Sequence, residues 1–332
     1  MTINVGCIGA GRVVGDLHFP MLKQLIGYNI VGLYDIDKER AKMISEKFSC
    51  RIFPTYAKML ESKEVDVVLV TTPSNTHTQY TIQALNAGKH VIVDKPPATS
   101  YADLKKMFAI AEKNRRKLVT FQNRIWDRDF VTVQNAVKKN LLGDVFHIES
   151  SVLYWGFGGY GIFKKWRTLK KYGGGQLNDW GPHLIDQMMR LVPSPVESVW
   201  ADLRGILWSK EVDDHCMLIL RFKNGTTAKI VASGGMTNYG FRWFVCGTKG
   251  TLYQMDWEKP LVFRKPVGDK TKDVELPFAK TGWLDFYKEY EKVFTKKAPL
   301  PVKPIESLRL LKVIEAARES ARTGMGVKIK GW

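Results

Sequence analysis

Ile3-Asn4-Val5-Gly6-Cys7-Ile8-Gly9-Ala10-Gly11-Arg12-Val13-Val14-Gly15 opens the chain and decides its fold. An apolar run of this length is too short for a membrane span and suits a parallel strand covered on both faces. Gly9 and Gly11 let the backbone turn sharply and come close to a pyrophosphate, and the helix expected next aims its first N–H groups at that anion. The fingerprint G-x-G-x-x-G places its third glycine at position 14, where this chain has Val14, with Gly15 just after. That glycine permits close helix–strand packing, so Val14 departs from the pattern.

A Gly-x-Gly alone also fits a plain tight turn, and the weight comes from the next strand. Ile30-Val31-Gly32-Leu33-Tyr34-Asp35 is a second apolar run, and it ends in an acid. An Asp at that tip accepts hydrogen bonds from the adenosine ribose hydroxyls and repels a 2′-phosphate, which favours NAD over NADP. Arg40 and the lysines around it keep NADP open.

Further out, Asp16 to Leu25, Lys38 to Phe48, Tyr56 to Glu61, Thr76 to Ala87 and Tyr101 to Asn114 read as helices, the last capped by Ser100. Between them Arg51-Ile52-Phe53, Val65 to Pro73, His90 to Asp94 and Leu118 to Asn123 read as strands. Alternation at this rhythm implies an α/β fold, a Rossmann-type doubly wound parallel sheet. Ligands of such sheets bind at the strands' C-terminal ends, which puts Gly9, Asp35, Thr72, Asp94 and Asn123 on one edge.

Past residue 123 the pattern changes. A helix, Phe130 to Lys139, precedes longer alternating segments at Val145 to Tyr154, Val196 to Leu203, His215 to Phe222, Thr226 to Ala232, Trp243 to Val245 and Thr251 to Gln254. Asn224-Gly225 is a hairpin signal, and helices at Trp283 to Phe294 and Ile305 to Arg322 finish the chain. The expected organisation is a nucleotide domain over 1–123 and an α+β domain over 124–332. The second would carry a large mixed, mostly antiparallel sheet that binds substrate and oligomerises, with the active cleft between the two.

A length of 332 residues allows about two domains. With 45% hydrophobic and 25% charged residues the composition is that of a globular protein, and it shows neither a membrane-length apolar run nor a signal peptide. Cys7, Cys50, Cys216 and Cys246 are scattered, which fits free thiols in the cytoplasm and no metal site. The net charge of +18 is spread along the chain among acids, without a nucleic-acid-binding motif. It reads as a solvated surface, with no nucleic-acid or membrane partner, that also draws in an anionic cofactor.

Two stretches carry chemistry. In Asp94-Lys95-Pro96 a lysine follows a strand end on the ligand side, where its ammonium can stabilise an alkoxide or polarise a carbonyl. An ordinary exposed lysine is the plainer alternative. In Gly173 to Asp186, Pro182 suits the first position of a helix with Gly181 as cap, Asp179 in the entering loop and His183 in the first turn. The helix dipole disfavours imidazolium there, which leaves His183 able to accept a proton. Either Asp179 or Asp186 could orient its ring, and a core histidine bonded to backbone is the plainer alternative.

At this point the chain resembles the Gfo/Idh/MocA oxidoreductases. The resemblance rests on Gly9-Ala10-Gly11-Arg12-Val13, Thr72-Pro73-Ser74-Asn75-Thr76-His77, Asp94-Lys95-Pro96, Phe121 to Asp127, and Gly173-Gly174-Gly175 through Asp179 to His183. Asn123-Arg124-Ile125-Trp126-Asp127 and Trp166-Arg167 are most similar to the scyllo-inositol and sugar dehydrogenase branch, while Asp94 stands where a glutamate is usual. The resemblance implies a catalytic trio of Lys95, Asp179 and His183. It implies a cofactor site of Gly9, Gly11, Arg12, Val13, Asp35, Thr72, Pro73, Asn75, His77, Asp94, Lys95 and Asn123. Arg124, Trp126, Tyr160, Trp166 and Arg167 become candidates for the sugar pocket beside Asp179 and His183, and a homodimer or homotetramer is expected.

The leading expectation is an NAD(P)-dependent dehydrogenase of a secondary hydroxyl on a cyclic polyol or sugar. A redox-assisted glycoside lyase or hydrolase that recycles NAD is the enzymatic alternative, and a non-catalytic nucleotide or sugar sensor is the other.

Overall fold

In a computed structural model the protein is described at residues 2–156, 166–207, 210–237 and 240–332. Two compact units emerge, one of residues up to Gln122 together with Trp283–Leu308, the other of Asn123–Gly282 and Arg309–Trp332.

The first unit holds a parallel sheet of β1 (Ile3–Ile8), β2 (Tyr28–Tyr34), β3 (Arg51–Ile52), β4 (Val67–Val70), β5 (His90–Val93) and β6 (Leu118–Thr120) in the order β3-β2-β1-β4-β5-β6. That order reverses between β1 and β4, and the crevice outside the strand ends at such a switch point is where dinucleotides bind. Val67, Val68, Leu69 and Val70 are all buried, as expected of a strand covered on both faces. Around the sheet lie α1 (Phe19–Lys23), α2 (Lys38–Phe48), α3 (Tyr56–Glu61), α4 (His77–Asn86) and α5 (Tyr101–Lys113). Asp37, Thr55 and Ser100 cap α2, α3 and α5 through their side chains.

The helix after the glycine turn differs from expectation. It begins near Arg12 and runs through a π-helical turn, Val14–His18, before becoming α1. Pro20 has no N–H to offer the Asp16 carbonyl, while the Phe19 N–H reaches back five residues to Val14. Gly15 lies inside this turn and faces α2. A Cβ there would stand 2.8 Å from Ile44 Cδ1 of α2.

The second unit contains α6 (Arg128–Lys138), β7 (Val145–Leu153), α7 (Gln176–Asp179), α8 (Gly181–Leu191), β8 (Val196–Arg204), β9 (His215–Phe222), β10 (Thr227–Ser233), β11 (Trp243–Gly247), β12 (Gly250–Gln254), β13 (Leu261–Val267) and β14 (Lys270–Leu276). With α9 (Leu284–Lys296), α10 (Pro304–Thr323) and β15 (Val327–Lys328) the chain ends. Among the described residues nine strands form one sheet in the order β14-β13-β12-β11-β7-β10-β9-β8-β15. β10 runs parallel to β7 and the other pairs are antiparallel, so the sheet is mixed and mostly antiparallel. Along β9, Cys216, Leu218, Leu220 and Phe222 are buried while Ile219 and Arg221 are exposed, the alternation of a sheet with one open face. Gly225, at φ +87, closes the hairpin between β9 and β10.

The expected domain boundary assigned everything after residue 123 to the second domain, whereas Trp283–Leu308 packs with the first unit. Phe286, Tyr287 and Tyr290 of α9 are fully buried, and Phe121 lies 4.6 Å from the Phe286 ring. The Tyr28 hydroxyl donates to the Tyr287 carbonyl at 2.8 Å, and a Thr120–Ser307 hydroxyl pair at 2.9 Å ties the same segment to β6. An aromatic helix face of this kind has to be covered, and β1, β2 and β6 lie beside it.

Candidate active site

In the first unit the turns after β1, β2, β4 and β5 gather at the carboxyl edge of the sheet. Gly9, at φ +96, is a conformation that a side chain would strain, and a Cβ there would meet the Thr71 carbonyl carbon at 2.9 Å. The Thr71 hydroxyl donates to the Gly9 carbonyl at 2.9 Å, fastening the turn after β1 to β4. By contrast, a Cβ on Gly11 would meet nothing within 4 Å. Asp35 accepts the Ala10 N–H at 2.6 Å on one oxygen and the Asp37 N–H at 2.8 Å on the other. An ionised carboxylate has about four lone-pair sites, so two remain for ribose hydroxyls. A tight Gly9, an open Gly11, a helix start and an acid at the tip of β2 together fit a dinucleotide. Arg12 and Val13 begin the helical path, with the Arg12 guanidinium 3.9 Å from Asp16.

After β4, Thr72 and Pro73 are half-buried and Asn75 is exposed; the Thr76 hydroxyl, with bonds of 2.8 Å to Thr72 Oγ1 and 2.7 Å to the Pro73 carbonyl, closes this turn. His77, the first residue of α4, is buried, with Nε2 2.7 Å from the Thr72 carbonyl and Nδ1 2.8 Å from the Pro96 carbonyl. After β5, Asp94 is buried and accepts the Lys95 N–H at 2.7 Å, while Lys95 itself is half-buried. Burial pushes the Asp94 carboxyl up, but His18, Lys95 and His77 outweigh it and hold it below the usual carboxylate value. His18, carried by the π-helical turn, was not foreseen from the sequence. It is fully buried, with Nδ1 2.6 Å from the Tyr287 hydroxyl and Nε2 4.0 Å from Asp94.

In the second unit the site is built on α7 and α8. Trp180 joins them with helical dihedrals, φ −92 and ψ −28, so Asp179 ends one helix instead of lying in a loop, and Gly181 opens the next instead of capping it. Asp179 and His183 stand four residues apart on a nearly continuous helical path, which gives them neighbouring places on one face. His183 is buried in the first turn of α8, its ring 5.9 Å from that of Trp180. Arg167 Nε lies 3.5 Å from Asp179 Oδ1, and its guanidinium covers the Trp166 ring at 4.4 Å. Asp186 pairs with Arg190 at 2.9 Å, one turn further along α8.

Arg124 and half-buried Trp126 share a short helical turn, Asn123–Trp126, whose Asn123 is buried. The Arg124 guanidinium lies 4.2 Å over the Trp180 ring and 3.0 Å from Asp127. Tyr160 lies outside the described residues. Three contributors escaped the sequence reading. Tyr154, at the end of β7, accepts a bond from the Gln176 side chain, and burial and the Asp179 charge hold its phenol neutral by raising its pKa. Asp213 accepts the Leu177 N–H at 2.7 Å and holds the start of α7. Arg242, buried, lies 2.9 Å from Asp129 and between the rings of Trp243 and Trp257. None of these positions carries a motif or periodic signal, so composition and spacing pass over them.

Comparison with known proteins agrees with this geometry. Residues 3–122 match an oxidoreductase family with an NAD-binding Rossmann fold, and residues 130–253 match the GFO/IDH/MocA C-terminal domain. The chain is 26% identical to the scyllo-inositol 2-dehydrogenase (NADP(+)) of Bacillus subtilis, covering 97% of this chain and 94% of that protein. It is 27% identical to the myo-inositol 2-dehydrogenase of Thermotoga maritima, over 99% of each chain. Among solved structures, an NAD-binding protein from Listeria innocua superposes with a TM-score of 0.91 at 32% identity, covering 100% of this chain and 98% of its own. The chain belongs to the Gfo/Idh/MocA family of NAD(P)-dependent oxidoreductases.

Proposed function

We propose that this oxidoreductase is an NAD-preferring dehydrogenase that oxidises a secondary hydroxyl of a cyclic polyol or sugar, with Lys95, Asp179 and His183 as its catalytic trio. The observation that carries the reading is the seating of His183 in the first turn of α8, four residues after an Asp179 balanced by Arg167. The positive end of the α8 dipole disfavours an imidazolium at His183 in the resting site and favours a ring that can take a hydroxyl proton. Asp179 then stabilises the imidazolium that forms, with Arg167 beside it as a charge partner. Lys95 lowers the energy of the alkoxide electrostatically. The nicotinamide, when bound, supplies the hydride acceptor.

Gly9, Gly11, Arg12, Val13, Thr72, Pro73, Asn75 and Asn123 would line that cofactor, with Asp35 on the adenosine ribose. Ile36, next to Asp35 and 83% exposed, offers an apolar surface suited to the flat face of an adenine. Arg124, Trp126, Trp166 and Arg167 would meet the polyol, since indole faces suit the C–H faces of a ring and guanidinium groups bind vicinal hydroxyls. The substrate names of the inositol dehydrogenase relatives support this class.

The test is nicotinamide absorbance with NAD and NADP offered separately against inositols, hexoses, uronates and simple glycosides. Reduction of NAD by one polyol class is expected, with kcat falling by roughly 10²–10⁴ in Lys95→Ala and in His183→Ala. Glycoside cleavage without net reduction, by protein that retains nucleotide, would overturn the dehydrogenase reading in favour of a redox-neutral elimination.

A further inference from the structure

His77 is the one imidazole in the first unit whose two nitrogens both meet backbone carbonyls at hydrogen-bond distance among the described residues, Nε2 at 2.7 Å from Thr72 and Nδ1 at 2.8 Å from Pro96. A carbonyl oxygen only accepts, and a neutral imidazole donates from one nitrogen only. A neutral ring would therefore set a lone pair against an oxygen lone pair on one side of a side chain that is only 1% exposed.

We propose that His77 is a buried imidazolium that fastens the turn after β4 to the turn after β5, and so acts as the positioning residue for Lys95. The inference rests on the reading of Lys95 as a catalytic group. Both ends of the clamp matter for that reading. Thr72 begins the segment assigned to the cofactor, and Pro96 directly follows Lys95. The Lys95 N–H is held on the other side by Asp94, so the lysine's backbone is fixed from both directions.

The charge has its counterion in place. The charged groups acting on the ring are Asp94 and Lys95 at the end of β5, and the turn after β4 contributes the Thr72 carbonyl. Burial is the largest influence and leaves the His77 pKa below its ordinary value, the Lys95 ammonium adding to it, while the Asp94 carboxylate and both carbonyls work for the cation. Asp94 is itself held ionised. Against that downward pull stands the geometry: with two acceptors already in contact, deprotonation would cost a charge-assisted hydrogen bond and leave a buried acceptor facing a lone pair, and the proposal of a cation rests on that contact.

Two-bond hydrogen–nitrogen NMR of the full chain labelled at histidine tests the charge directly, with His77→Gln or His77→Asn assigning the signal. At a pH of about 8, where an ordinary imidazole is neutral, both His77 nitrogens should resonate as protonated. One nitrogen in the unprotonated range would overturn the inference, whatever the enzyme's substrate proves to be.

Kinetics test the positioning. An Asn amide nitrogen falls near the place of Nδ1 and a Gln amide nitrogen near that of Nε2, so His77→Asn keeps the Pro96 bond and His77→Gln keeps the Thr72 bond. His77→Gln should lower kcat roughly tenfold with KM for NAD little changed, and His77→Asn should do the reverse. Equal losses in both would overturn the positioning role. If no polyol turns over, the polyol reading fails by itself, and NADH affinity still decides: weakened in His77→Asn and retained in His77→Gln if the clamp acts as proposed.

Discussion

One carboxylate at Asp35 stiffens the glycine turn and, in the proposed function, also receives the adenosine ribose. Its bonds to the Ala10 and Asp37 N–H groups tie the ends of β1 and β2 together. Replacement by Asn keeps one acceptor oxygen and removes the charge. The ratio of kcat/KM for NAD over NADP should then fall by about tenfold, with a stability loss of about 1 kcal/mol from the backbone bond given up. Steady-state kinetics with both cofactors decide this, and an unchanged ratio would show that charge at Asp35 does not govern the choice. Asp35 was legible because an acid that ends an apolar run stands out. The π-helical turn Val14–His18 was not legible, since it is a change of hydrogen-bond register that residue types do not spell. His77 was read as a cofactor contact, whereas its nitrogens are occupied by the carbonyls of Thr72 and Pro96.

Among the elements, α7 depends on a residue far away in sequence. Its N-terminus begins at Gly175, φ +99, without a side-chain cap of its own, and Asp213 supplies the missing acceptors with its carboxylate and its carbonyl. Burial pushes the Asp213 carboxyl up to about 6 from an ordinary value of 3.8, although the Leu177 N–H and Arg318 pull the other way. The folded chain thus holds a proton between about pH 4 and 6 that the unfolded chain releases, so stability falls as pH rises through that window. The loss is about 3 kcal/mol across the window. Asp213→Asn keeps an acceptor for Leu177 and cannot titrate. In urea unfolding, the stability difference between wild type and variant should therefore decline with that amplitude from about pH 4 to 6 and then level off. Parallel pH profiles would show that Asp213 is not the titrating group.

The strands were legible to the degree that they hide apolar faces. β1, β2, β4 and β5 were read from near-continuous apolar runs, and β9 and β10 from alternation with Asn224-Gly225 between them. β13 and β14 were not read, because Arg264 to Val267 and Lys270 to Asp273 are exposed and their ribbon buries little besides Leu261 and Phe263. Asp213 lies in a polar loop where nothing local announces a cap.

For the whole molecule, the net charge of +18 acts on any anionic ligand. A dinucleotide carries its negative charge on the pyrophosphate, so the field raises its association rate and salt weakens that effect. The association rate constant of NADH, followed by stopped-flow fluorescence, should fall severalfold between about 0.02 and 0.5 M salt, with the dissociation rate changing much less. An association rate indifferent to salt would mean that the positive charge is spread too evenly to steer. No helix among the described residues is long and apolar enough to cross a membrane.

The return of Trp283–Leu308 to the first unit was not legible, because membership of a unit is decided by which surface Phe286, Tyr287 and Tyr290 cover. It also sets a schedule. As the chain leaves the ribosome, the nucleotide-binding sheet has all six strands by Gln122, yet the helix that covers Phe121 and holds His18 follows only after the intervening residues to Gly282. At about 5–20 residues per second that delay is on the order of ten to thirty seconds. During it Phe121, His18 and Tyr28 lack the helix that covers them in the finished fold.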